Sequence, residues 1–374
     1  MRKKTRLFDG FFVLERGKSE YASLVNTCIK DWSYMSLRFI KKRQKKNPFW
    51  FWVMALPLFL FLLYLSFDSL GNFFSGEKEI KIKEDLVRVK VWEQDNEQLL
   101  EMGLEGYVVG VVAAEMPASF ALEALKAQAV AARTYALQRL QVSDPRVKAL
   151  HPEADLSSDP AVNQAWISTE EMKKRWGKWN YAQHLEKIRK AVEETKGQVL
   201  IYHSQLIDPL YHASCGGEKT ENSGEVWQFN VPYLQGVSCT GHQDRHQSTT
   251  QFFTLEACDD LLGTNLRALP ASKLQQAKEV FQVTEKSSTG RIKKITLGGK
   301  DFSGAELRAQ LNLPSTRFTC QTAKEGVQFI CNGYGHGVGM CQYGAADMAA
   351  AGKDYKEILR HYYTGVQIGH LQVE

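Results

Sequence analysis

Glu115 has the setting of a proton donor. It closes the apolar run YVVGVVAA and is followed by Met116 and Pro117. An unpaired carboxylate at the end of such a run is costly to ionise, so its pKa is expected to rise; a general acid is prepared that way. A solvated turn residue beside a proline is the bland reading of the same glutamate. A second group of residues could do metal or thiol chemistry: His212-x2-Cys215 and Cys239-x2-His242, with His246 beyond, could supply four zinc ligands. A Cys215 to Cys239 disulfide competes with that reading. The third stretch is GYGHGVG, Gly333 to Gly339, with glycine at every other position. Neither a helix nor a strand gains from that pattern, whereas a main chain passing close to a substrate, with Tyr334 and His336 projecting into it, would. A bare glycine-rich turn is the alternative, and without a Gly-Lys-Ser/Thr continuation it is not a phosphate loop.

These groups need elements to hold them. From Ala121 to Leu140 there is no glycine or proline, and Leu122, Leu125, Ala129, Ala132 and Ala136 recur at helical spacing. Alanines almost all round the cylinder predict a helix packed on several sides. Lys126 and Arg133 share one face, while Gln128 lies about 200° round from Lys126, so the three cannot enter one pocket from a straight helix. Leu86 to Trp92 alternates as a half-exposed strand. A helix should end at Gly197 and a strand run from Gln198 to Tyr202. Trp166, Trp176, Trp179 and Tyr181 could stack on sugar faces or could close a local helical core. FFTLEACDDLLG reads as helix, VFQVTEKSSTGRIKKITLGG as a hairpin, and Ser303 with Glu306 as a capping box. CQYGAADMAAAG is a short helix ended by Gly352, and Asp354 with Glu357 caps the helix to Tyr363.

The net charge of +5 is unevenly divided: Met1 to Asn47 carries 13 Lys+Arg against 4 Asp+Glu, leaving 34 against 38 in the rest. No basic stripe is left for nucleic acid, which is not expected as a partner. Phe49 to Phe67 is 19 residues without a charge, long enough to cross a bilayer core of about 30 Å. Basic residues from Arg38 to Lys46 precede it, so the N-terminus is expected in the cytoplasm and the rest outside. A small-residue cleavage site is missing, which favours a retained anchor over a signal peptide; Met35 is also a plausible start. The expectation is an α+β protein: a basic leader (1–48), a single-pass membrane anchor (49–67), a stalk (68–85), and one large extracytoplasmic mixed α/β domain (86–374) with a central substrate cleft and an insert at about 252–313. Of seven cysteines six fall outside, and their pairing is not readable.

AAEMP followed by ALKAQAVAARTYAL resembles the signature of the stage II sporulation protein D family, which shares its domain with the amidase enhancer of the cell wall lytic system. YHASCGGEKTENSGEVW, VPYLQGV and GYGHGVGMCQYGAADMAAAGKDYKEILRHYYTGV are similar to further family blocks in the same order, over roughly Leu86 to the C-terminus. The resemblance implies a membrane-bound lytic transglycosylase of peptidoglycan. Such an enzyme cleaves between N-acetylmuramic acid and N-acetylglucosamine and leaves a 1,6-anhydro end, with Glu115 at the family's catalytic glutamate. Substrate contacts are then expected from Lys126, Gln128, Arg133, Ser214, His336, Gln342 and Tyr343. No cofactor is required; zinc on His212, Cys215, Cys239 and His242 is the open option, since some members bind zinc near this region. Family cysteines expected near ADLSSDPAVNQAWIS are missing, and Cys341 stands where serine is usual. Sporulation amidase protein P and membrane protein M are the implied partners beside glycan strands. A non-enzymatic amidase activator or wall-binding module is the rival function.

Overall fold

The computed structural model describes residues 80–81 and 87–372, apart from 228, 240, 243, 275, 277–279 and 324, all within one unit running from Glu77 to Glu374. The leader, the apolar segment 49–67 and most of the predicted stalk lie outside the described residues. Among the described residues no helix is long and apolar enough to cross a membrane.

Strand β1 (Ile80–Lys81) falls within the predicted stalk but pairs with the domain. Strands β2 (Arg88–Glu93) and β3 (Gln98–Gly103) are antiparallel, and β4 (Leu156–Ser157) joins β2 in parallel. The alternation holds: Val89 and Val91 are buried while Arg88 is exposed and pairs with Glu101. Helix α1 (Leu104–Glu115) follows, apolar nearly all round, with Glu115 as its last residue. It stops because Met116 turns extended and Pro117 has no N–H to continue the ladder.

Helix α2 (Leu122–Gln141) is the axle of the domain. Its alanines let α1 and later elements approach from several sides, as the sequence pattern predicts. Helix α3 (Pro145–Leu150) is capped by Asp144. Helix α4 (Thr169–Glu193) is capped by Ser168 and kinked at Gly177, whose φ of 67° no helix accommodates. After Gly197 comes β5 (Gln198–Tyr202), with β6 (Gln205–Leu206) on its edge and β7 (Tyr211–His212) beyond.

A second hydrophobic core, from Cys258 to Cys331, marks the insert. Its bounds are wider than the predicted 252–313. Strand β8 (Thr249–Thr254) takes Phe252 and Phe253 out of the predicted helix, because Phe252 faces Gln328 and Phe253 faces Val327 across a ladder. Thr254 then caps α5 (Leu255–Leu262). The hairpin of β9 (Phe281–Lys286) and β10 (Ile292–Leu297) forms as expected, with β11 (Lys300–Ser303) beside it and the capping box starting α6 (Gly304–Gln310). Strands β12 (Phe318–Ala323) and β13 (Gly326–Cys331) close the insert against β8.

The chain then returns to the main core. Strand β14 (Met340–Cys341) lies parallel to β7, α7 (Gln342–Ala350) and α8 (Tyr355–Tyr362) pack on α2, and β15 (Gln367–Gln372) enters the sheet of order β1-β15-β5-β6. Pairing β7 with β14 carries the C-terminal block to the end of α1.

Candidate active site

Glu115 projects from the C-terminal end of α1, the negative end of the helix dipole, which disfavours a carboxylate. Its Oε1 accepts the Ala165 N–H at 2.9 Å and its Oε2 accepts Gln342 Nε2 at 3.2 Å. The Tyr211 hydroxyl is also within hydrogen-bonding reach. Burial raises the carboxyl pKa, and these three donors offset that only in part. The carboxyl group is crowded by protein atoms, while the residue as a whole is half-buried.

The donors are themselves held. Tyr211 donates to Gln164 Oε1 at 2.7 Å, and Gln164 Nε2 reaches the Tyr107 hydroxyl at 3.1 Å. Burial, then the Glu115 charge, keeps Tyr211 protonated. One hydroxyl has one proton, so Tyr211 can donate to Glu115 or to Gln164 but not both. Gln128 stands 3.4 Å from Gln342 Nε2 and acts on Glu115 through that amide.

Not every predicted residue is at this site. Arg133 is 0% exposed, and its guanidinium is committed to both Glu105 oxygens, at 2.7 and 2.6 Å, and to the Val192 and Gln198 carbonyls. Lys126 lies between Glu123 and Glu194, 2.7 Å from each, on a different face of α2 from Gln128. Both are structural, because an alanine-rich helix packed all round must pair its charges internally. Ser214 is likewise buried: its Oγ donates to Asp244 at 2.8 Å and accepts the Gly216 N–H, leaving no proton for a ligand. His336 sits between His212 and Trp227, ring centroids 5.7 and 5.4 Å away, and takes the Val338 N–H on Nδ1. Burial, then His212 and Arg291, holds its pKa well down. Tyr343 follows Gln342 and meets the edge of Phe120 at 5.2 Å.

The glycine run has a different reason from the expected one. All four glycines have positive φ, and a Cβ on Gly333, Gly335, Gly337 or Gly339 would strike Ser214 O, His212, Arg291 or Leu210 O respectively. The close approach is to the protein itself. Trp166, Trp176 and Tyr181 pack against the core, whereas Trp179 is 95% exposed.

The metal-capable residues regroup. Ligand atoms of Cys215, Cys239, His242 and Cys341 lie within 4.8 Å of one another, all buried. His212 is outside the group, its Nδ1 facing the Val338 carbonyl at 3.1 Å. The expected His212 is thus replaced by Cys341, because β14 lies beside β7 and brings that sulfur in. The cysteines are free thiols, so Cys215 and Cys239 are not bridged.

Tyr211, Gln164 and the Ala165 N–H escape the residue-type reading. Tyr211 adjoins the His212–Cys215 pair and could have been found from that; a main-chain N–H leaves no mark in the sequence.

Fold and site together define an α+β domain in which the crowded carboxyl group at the end of α1 has a raised pKa. The Stage II sporulation protein (SpoIID) family profile matches residues 93–202. The chain is 36% identical over 288 residues to Stage II sporulation protein D of Bacillus subtilis (strain 168), covering 77% of this chain and 80% of that protein. It is also 36% identical over 292 residues to the Bacillus amyloliquefaciens protein of the same name, covering 78% and 81%. To the amidase enhancer of Bacillus subtilis it is 29% identical over 307 residues, covering 69% of this chain and 40% of that protein. The chain belongs to the stage II sporulation protein D family.

Proposed function

We propose that this chain is a peptidoglycan lytic transglycosylase acting in cell wall remodelling during sporulation, with Glu115 as its single acid and base. The observation that carries the reading is the environment of Glu115: burial raises its pKa, and a main-chain N–H, an amide and a phenol offset that only in part. A hydrolytic glycosidase places two carboxyl groups about 5 to 10 Å apart. A transglycosylase manages with one. Protonated Glu115 gives its proton to the oxygen bridging N-acetylmuramic acid and N-acetylglucosamine, and the C1–O bond breaks. The resulting carboxylate then takes the proton of the C6 hydroxyl as that oxygen attacks C1. The 1,6-anhydro ring forms, Glu115 is protonated again, and no water is consumed.

Residues 49–67 would anchor the domain with the N-terminus in the cytoplasm, placing Glu115 against septal wall beside the sporulation amidase protein P and membrane protein M. Similarity to an amidase enhancer favours one second reading, that the domain binds wall and activates an amidase. Mass spectrometry of products from purified glycan strands separates the two. Anhydro ends that disappear in Glu115→Gln support the transglycosylase; stem peptides released only with added amidase support the activator. Anhydro ends persisting in Glu115→Gln would remove Glu115 from the chemistry.

A further inference from the structure

We infer that Cys215, Cys239, His242 and Cys341 form a closed, structural zinc site that clamps the start of α7 beside Glu115. Four-coordinate zinc with sulfur at about 2.3 Å and nitrogen at about 2.0 Å requires S···N separations of roughly 3.5 Å. His242 Nε2 is 3.4 Å from Cys215 Sγ and 3.4 Å from Cys341 Sγ. Three sulfurs and one imidazole are the donor set of a tetrahedral, borderline-soft ion, and a disulfide within the group would strand the third thiol.

The surroundings are those of a ligand shell. His242 turns Nδ1 away from the cluster onto Asp244 Oδ2 at 2.7 Å, and Ser214 Oγ donates to the same oxygen at 2.8 Å. That carboxylate fixes the tautomer with Nε2 as the free donor, the usual outer arrangement of a zinc-bound histidine. Cys341 Sγ lies 3.3 Å from the Cys215 N–H and 3.4 Å from the Gly344 N–H, two donors suited to a thiolate. All four side chains are buried, which leaves no open coordination position for a substrate or water; the site is structural.

Its place gives it a consequence. Cys341 is the N-cap of α7, and the next residue is Gln342. The ion would tie the loop after β7, the segment carrying Cys239 and His242, and the first turn of α7 at one point. Gln342 is held against Glu115 from there. This coupling rests on the catalytic reading of Glu115; the metal site does not.

The test is elemental analysis of the full-length protein, purified without chelator or histidine tag. About one zinc per chain is expected, lost in Cys239→Ser and Cys341→Ser and retained in Cys320→Ser, a thiol outside the group. Exchange of wild-type protein into cobalt(II) should give the intense sulfur-to-metal charge-transfer and d–d bands of a tetrahedral thiolate site, which decides the matter if the serine variants do not fold. Glu115→Gln should keep its zinc while losing glycan cleavage, so failure of one idea leaves the other standing. Zinc-free active protein, iron in its place, or a disulfide among Cys215, Cys239 and Cys341 in non-reducing peptide maps would overturn the assignment.

Discussion

Gln342 Nε2 lies 3.2 Å from Glu115 Oε2 and joins residues 227 positions apart. The contact brings the start of α7 to the end of α1, and it acts on the acid's proton. A donor facing a carboxylate favours the ionised form, so Gln342 and Tyr211 hold down a pKa that burial drives up.

Replacing Gln342 by alanine therefore raises the Glu115 pKa further. The proton needed for the first step is then retained to higher pH, so the alkaline limb of kcat/KM should move upward. The rate at the optimum should fall about tenfold, the value of one hydrogen bond to a charged group. Tyr211→Phe should move the limb in the same direction. A pH–rate profile on purified glycan strands reads both, and an unmoved or lowered alkaline limb would contradict the assignment of that limb to Glu115.

The same raised pKa has a cost in stability. A carboxyl group whose folded pKa exceeds its unfolded value contributes stability fully present below the unfolded pKa, and this is lost as pH rises through the folded pKa. Glu115 thus opposes folding at neutral pH. Glu115→Gln should melt higher than wild type at pH 7, with the difference closing as pH falls through the raised folded pKa and gone below about 4, the ordinary glutamate range. Thermal unfolding across that pH window measures it; a variant less stable than wild type at pH 7 would mean that the donors to the carboxylate outweigh its burial.

How far the sequence led can be judged from single residues. Period and capping located α2, β5, the hairpin of β9 and β10 and both capping boxes, because each is a local signal. Phe252 and Phe253 went into a strand because pairing with β13 outweighed local preference. At the site, the apolar run marked out Glu115, but polar residues on α2 were ambiguous: helical spacing separates Gln128 from Lys126 without saying which face meets α7. Cys341 could not be grouped with Cys215 from spacing, since the parallel pairing of β7 with β14 brings them together.

Arg133 is the clearest case of a charge held for the fold. Arg133→Met leaves Glu105, 25% exposed, without its bidentate partner and removes donors from the Val192 and Gln198 carbonyls. Breaking a buried pair from one side costs about 3–5 kcal/mol. Urea unfolding should show that loss, while KM for glycan in the folded protein stays within about twofold, the spread expected of a residue with no substrate contact. A tenfold rise in KM would return Arg133 to the substrate.

Trp166 presses on the face of α1 at Gly110, and a Cβ there would fall 2.1 Å from its Nε1. Gly110→Ala must therefore displace the indole, and Ala165, whose N–H holds Glu115 Oε1, is its immediate neighbour in the chain. Overpacking of this kind costs about 1–3 kcal/mol. Because the displaced donor touches the acid and not the glycan, kcat should fall with KM little changed. Gly106 supplies the comparison: it sits one turn earlier in α1 with nothing within 4 Å of an added Cβ. Gly106→Ala should stabilise the helix by about 0.5–1 kcal/mol and leave kcat alone. Equal effects of the two substitutions on kcat would show that the indole does not position the Ala165 N–H.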